Sequence, residues 1–328
     1  MRTKGLFIGL IVSLVTLVTV HQSAVAHPGS GIVVDAQGRV FFTSGPMIIM
    51  VETNGAARTI VHDQKNEKFY QLHHIQRAPD GGWLTASDMG NAIWHFKDDG
   101  ELIRFYPPPN EDRALHVGAG GDPFAVDGEG NVFAVNSRQD RFTQIFKITA
   151  DGRISVLAGG DWGYADGRGT EAKFGDLHGG SMLVMPDGVL LLTDHSVRVR
   201  RVARDGNVTT LAGAREAGSV DGPAASARFD GASGLAVDAQ GNVLVVDHGE
   251  PGNRGGRIRS ITPDRMVKTL AGSGRPGVAD GPLLEAKFNG PTGIAVAPNG
   301  DLFVLEPDEP RVRKISGGRV TTVHKGTP

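Results

Sequence analysis

Apolar residues along the chain come as pairs of short runs split by a tight turn, and the pair occurs six times. The copies span Ile32–Phe42, Ile75–Leu84, Phe124–Phe133, Met182–Leu190, Leu235–Leu244 and Ile294–Phe303. Their turn glycines, at positions 38, 81, 130, 188, 241 and 300, stand 43 to 59 residues apart. Each interval suits a four-stranded unit. A third run follows in Val197–Val202, Arg257–Ile261 and Arg311–Ile315, where arginine alternates with an aliphatic residue. Period two with a charged side predicts a half-exposed strand. A fourth run ends each unit, as in Ile154–Gly159, Val208–Gly213 and Val267–Gly272.

Three units carry a long connection holding Ala165-Asp166-Gly167, Val220-Asp221-Gly222 or Ala279-Asp280-Gly281. Phe174, Phe229 or Phe288 comes eight residues after the Asp. Each Phe is expected to anchor its connection between neighbouring sheets. Six four-stranded antiparallel sheets arranged radially leave only short strand edges, so the pattern predicts an all-β, six-bladed β-propeller. A linear solenoid would need polar capping repeats, and neither end supplies one.

Composition changes this picture in three ways. The 328 residues include 47 Gly with no Gly-X-Y period, which fits many tight turns. There is no Cys, which excludes a disulfide framework, a thiolate zinc site, an iron–sulfur cluster and a cysteine nucleophile. Any metal must sit on His, carboxylate or amide oxygen. The first 26 residues read as a secretory signal peptide: Arg2 and Lys4, an apolar stretch from Leu6 to Val20, then the small-x-small site Ala24-Val25-Ala26. The alternative, a retained anchor, must work with a run shorter than the ~20 residues that span a bilayer. Residues 27–328 are then one propeller domain, expected to be monomeric, free of the membrane after cleavage, and periplasmic or secreted. The mature chain has a slight acidic excess and no basic run, so it offers nucleic acid no positive patch.

Topology places candidate chemistry. The turn glycines lie at one face, so strand-one starts and strand-two ends meet at the other, around the central channel. The starts are Ser30, His73, Asp122, Gly180, Ser233 and Thr292; the ends are Ser44, Asp88, Asn136, Asp194, Asp247 and Glu306. His195 and His248 follow two of the ends, and His74, His116 and His178 lie close to the starts. Imidazole and carboxylate at a channel mouth suit a divalent metal ion: Zn²⁺ for a His-rich set, Ca²⁺ for an oxygen-rich one. His73 and Asp122 are the best ligand pair, with His178, His195 or His248 open as a third. His178, His195 and Asp88 are candidates for moving protons. The competing structural reading has Asp194, Asp247 and Glu306 capping loops and pairing with arginines of the third strand.

Two minor features were weighed. His27 as a mature amino terminus could chelate copper, and Tyr106–Arg113, with its three prolines, reads as a surface connection or a lid. No Walker loop, Gly-x-Ser-x-Gly elbow or His-Glu-x-x-His helix occurs, so nucleotide hydrolysis, serine esterase chemistry and zincin proteolysis lack support.

The succession of Gly-Ile-Ala-Val, turn Gly, Asp, Arg-x-Arg-Lys-Ile and Thr-Thr-Leu-Ala-Gly resembles the NHL-repeat propellers, strongly from Phe124 to Val323 and more weakly from Gly31 to Pro123. The chain is more distantly similar to gluconolactonase-like propellers, which hold a catalytic divalent ion with Glu, Asn and Asp at strand starts. Only His73 and Asp122 match such ligands by position; Ser30, Gly180, Ser233 and Thr292 depart from the pattern. Leu72-His73-His74-Ile75 looks like the Pro-His-Gly-Ile motif of streptogramin-lyase-like propellers with Pro and Gly replaced. Amidating lyases, another NHL-type relative, place zinc on His residues from separate blades. The resemblance implies a metal-assisted lyase or lactonase acting on a small polar, carbohydrate-derived molecule. The alternative is a non-catalytic propeller that recognises a peptide, glycan or protein partner across the same face.

Overall fold

A computed structural model describes residues 31–62, 72–87, 93–106, 121–138, 142–194, 197–249 and 254–326. The signal segment, His27, Ser30, Asp88, the 107–113 stretch, His116 and His195 lie outside the described residues. Six antiparallel sheets form, and in each the four main strands run in sequence order from inner to outer. Their inner strands are Ile32–Val34, Leu72–Arg77, Phe124–Val126, Met182–Val184, Ala232–Val237 and Gly293–Val296. Each inner strand touches the next around the circle, and the last returns to the first. The chain is therefore a closed six-bladed β-propeller.

The apolar core follows from this geometry. A blade has two faces and both are covered, so its strands carry aliphatic residues on both sides. Six separate apolar clusters result, one in each gap between neighbours. Phe41 and Trp83 meet between blades 1 and 2, with ring centroids 4.1 Å apart. Phe124 packs against Leu84 and Ala86 between blades 2 and 3. Phe174, Phe229 and Phe288, fully buried, fill the next three gaps, as anchors of the long connections. Ile32 and Phe42 join Phe303 and Leu305 in the sixth gap and close the ring.

Two expectations need correction. Blades 4 to 6 have five strands, because the connections add the two-residue strands Gly167–Arg168, Gly222–Pro223 and Gly281–Pro282 to their outer edges. The arginine-rich third strands are also far more buried than half-exposed: Arg200, Arg259 and Arg313 are fully enclosed. Carboxylates, carbonyls and an aromatic face meet most of that charge, although Nε of Arg200 and Nε of Arg313 are buried without a hydrogen-bond partner among the described residues. Arg259 donates to Asp247 at 2.9 Å, to Asp221 at 2.6 Å, and to the carbonyls of Arg228 and Val220 at 3.1 and 3.0 Å. Its guanidinium lies 5.2 Å from the Phe229 ring centroid. Arg313 repeats the arrangement with Glu306, Asp280 and Phe288, and Arg200 with Asp194, Asp166 and Phe174. The second carboxylate oxygen of the connection Asp accepts a backbone N–H from the outer strand, as Thr269 gives to Asp221 at 2.9 Å.

Each clamp thus ties the second, third and outer strands of a blade to the connection entering it. Burial raises the pKa of Asp194 and Asp247, with the neighbouring arginine pulling the other way. The more exposed Asp221 ends below the usual range: burial opposes this, but the Thr269 N–H and Arg259 outweigh it. In blades 1 to 3 the clamp arginine is replaced by Ile49, Trp94 and Phe146 in the matching register.

Candidate acid–base site at the channel mouth

The loop-and-strand starts of blades 2, 3 and 4 converge on Gly121. Pairing between the first two strands of blade 2 is irregular between Leu72 and Ile75. Such a bulge breaks strict alternation and re-aims side chains, here those of His73 and His74, both buried. Gly121 has φ +88, a left-handed conformation that glycine adopts without strain. A Cβ built on it would lie 3.5 Å from Nδ1 of His73 and 3.5 Å from Cε1 of His178. The imidazoles of blades 2 and 4 therefore flank the bare backbone of blade 3.

Asp122 follows, buried, with Oδ1 3.8 Å from Nδ1 of His178. The two differ in access: the His178 side chain is 32% exposed and that of Asp122 only 2%. A carboxylate behind a solvent-facing imidazole can orient the ring and stabilise its protonated form. The His178 loop is fixed locally, its backbone N–H donating to Asp176 Oδ1 at 2.9 Å.

Polar bonds across the blade gaps hold this arrangement. His74 Nε2 donates to the Gly121 carbonyl at 3.1 Å, and the Gly179 N–H reaches the same oxygen at 3.2 Å. Burial, and then repulsion from His73 and His178, lowers the His74 pKa to about 4 against the help of the Gly121 bond. His74 is neutral at pH 7, with the proton on Nε2. Gln76, on the same strand, donates to the carbonyls of Phe124 at 2.7 Å and Met182 at 3.3 Å and accepts the Val126 N–H at 3.0 Å. Thr85 secures the strand from behind, its hydroxyl donating to the His74 carbonyl at 2.6 Å.

The structure thus brings His73, His74, Asp122 and His178 together. His248 sits elsewhere, in blade 5. Its ring lies where a Cβ on Gly231 would come within 2.5 Å of it, its N–H donates to the Gly231 carbonyl, and burial lowers its pKa. Asp194, Asp247 and Glu306 are engaged in the arginine clamps, as the structural reading expects. Among the described residues no three His, Asp or Glu side chains are grouped to hold a metal ion. Gln76 and Gly121 were not singled out from sequence. The local signal for Gln76 is an amide where the other five inner strands carry Val33, Ala125, Leu183, Ala236 and Ala295.

The fold is shared with solved structures. Virginiamycin B lyase from Staphylococcus aureus is 16% identical over 90% of this chain and 84% of that one, with TM-score 0.53. A streptogramin B lyase structure matches at 16% identity over the same shares, with TM-score 0.54. A Bacteroides thetaiotaomicron protein of unknown function matches at 17% identity over 90% of this chain and 70% of its own, with TM-score 0.63. Identities this low show the propeller fold alone. No protein-family model matches the chain, and no curated protein matches its sequence. The NHL-type designation therefore rests on the repeat pattern.

Proposed function

We propose that this propeller is a lyase-type enzyme acting on a small polar molecule at the mouth formed by blades 2 to 4. The observation that carries the reading is the half-exposed His178 imidazole beside the buried Asp122 carboxylate, opposite His73. In this reading the Asp122 carboxylate, 3.8 Å from Nδ1, favours the proton on that nitrogen electrostatically, which leaves the Nε2 lone pair as the base. Nε2 takes the proton next to a substrate carbonyl, the electron pair forms the new C=C bond, and the bond to the β-oxygen breaks. The leaving oxygen takes a proton from a second acid, for which His73 is placed. Proton transfer of this kind contributes ~10²–10⁴ in rate. The same base acting on water would open a lactone, the second chemistry expected from sequence. The lyase names of two solved neighbours favour elimination first, and a sugar-acid derivative is the substrate class expected from the sequence.

The divalent ion expected from sequence does not find a complete ligand set among the described residues, and no step here passes through it. An ion on His73 and Asp122 would need a further donor; of the three expected from sequence, His178 lies beside Asp122, His248 packs on Gly231, and His195 falls outside the described residues. We infer export as well, from the signal-like first 26 residues.

The test incubates purified mature protein with virginiamycin B, which names one neighbour, and with sugar-acid substrates and their lactones, following the unsaturated product by ultraviolet absorbance. His178→Gln and Asp122→Asn should each lower turnover by ~10²–10⁴ without unfolding the protein. Turnover unchanged in both variants would remove the acid–base assignment. Metal analysis of the same preparations decides the cofactor.

A second reading, recognition of a peptide or glycan, is favoured by exposed Trp162, Tyr164, Val220, Val278 and Leu284 on or beside the long connections. Binding without turnover, abolished by Trp162→Ala and retained in His178→Gln, would favour it.

A further inference from the structure

We propose that His74 and Gln76 are positioning residues that set the distance between Asp122 and His178. This rests on the reading of that pair as the acid–base centre. Neither side chain needs to touch substrate. The argument is the bond pattern around one peptide unit. The Gly121 carbonyl accepts from blade 2 through His74 Nε2 at 3.1 Å and from blade 4 through the Gly179 N–H at 3.2 Å. Asp122 follows that carbonyl in sequence, and His178 precedes that N–H. One oxygen atom therefore fixes the backbone on both sides of the pair, and a side chain from a third blade fixes the oxygen.

Gln76 does the same one layer deeper. Its amide spans the inner strands of blades 3 and 4, bonding Phe124 and Val126 on one and Met182 on the other. An amide that gives and accepts in this way stands in for a strand partner between two inner strands that diverge around the axis. Both residues lie on Leu72–Arg77, the strand whose irregular pairing turns two successive histidines toward the site. Blade 2 thus acts as a jig for a centre contributed by blades 3 and 4. A base displaced by ~1 Å loses ~10²-fold in rate, so the jig is expected to matter to turnover without entering the chemistry.

The experiment compares wild type with His74→Phe, which keeps a ring and removes the donor, and with His74→Gln, whose side-chain amide can reach the Gly121 carbonyl. Hydrogen exchange at the Gly179 amide and a crystal structure of each variant report position directly. In His74→Phe, Gly179 exchange should accelerate at least ~10-fold with opening of that bond, and the Asp122–His178 distance should lengthen. His74→Gln should restore both. Turnover should fall ~10²-fold in the first variant and recover in the second, with the substrate KM little changed. If His74→Phe fails to fold, Gln76→Leu gives the same readings on the deeper layer. Unchanged exchange and an unchanged Asp122–His178 distance overturn the proposal. Wild-type protein that turns over no substrate while the exchange and distance effects appear would overturn the acid–base reading and leave the positioning role standing.

Discussion

Replacing Arg259 with leucine removes the guanidinium that meets two carboxylates inside blade 5. Asp247, fully buried, keeps its hydrogen bonds from the N–H groups of Asp230 and Gly231 at 2.9 and 2.8 Å but loses its counter-charge. The carbonyls of Arg228 and Val220 lose donors as well. Breaking a buried pair from one side costs about 3–5 kcal/mol. Asp221 is nearly half exposed and keeps the Thr269 N–H, so its share is a few tenths to about 1 kcal/mol. For a domain of about 300 residues, a loss of about 4 kcal/mol lowers the melting temperature by roughly 6 °C. Adding Asp247→Leu removes the stranded charge, so the double variant should recover most of the loss. Denaturant unfolding followed by tryptophan fluorescence measures all three proteins. A single variant costing under about 1 kcal/mol, or a double variant no better than the single, would refute the argument that charge burial rather than packing dominates here.

Other consequences are measurable in the same way. Phe229→Ala, emptying a fully enclosed ring site between blades 4 and 5, should cost about 3–5 kcal/mol in unfolding free energy. Gly121→Ala has room for its methyl group but must hold φ +88, and should cost about 1–2 kcal/mol. The depressed His74 pKa makes stability pH-dependent: the unfolded chain binds the proton near pH 6.5 and the folded one only near 4. Stability from this group is therefore full above about pH 6.5 and declines by about 3 kcal/mol on acidification to pH 4. In His74→Phe that part of the acid slope should vanish in urea titrations at stepped pH.

The blade pattern is legible in sequence because each unit repeats the same apolar runs and a turn glycine, and local periodicity reports local strands well. The fifth strands are not, since Gly167–Arg168, Gly222–Pro223 and Gly281–Pro282 carry no strand propensity and pair only because the connection lies along a finished edge. Arginine alternation in the third strand reads as a solvent face because the nearest anions in space come from afar. Asp221 is 38 residues from Arg259, and Asp280 is 33 from Arg313. The pairing of Asp194, Asp247 and Glu306 with these arginines is legible, being only 6, 12 and 7 residues away. At the site, His73, Asp122 and His178 follow from topology. His248 reaches the same expected face from a strand-two end, yet its ring folds back on Gly231, a choice made by side-chain packing that repeat arithmetic does not register.

A crystal structure of the mature chain gives the measurement closest to the central claim. The account predicts His178 Nδ1 no farther than 3.8 Å from Asp122 Oδ1, with the His73 and His178 rings both packed against Gly121. Finding the His178 ring turned away from Asp122, toward the rim or the opposite end of the channel, would contradict it.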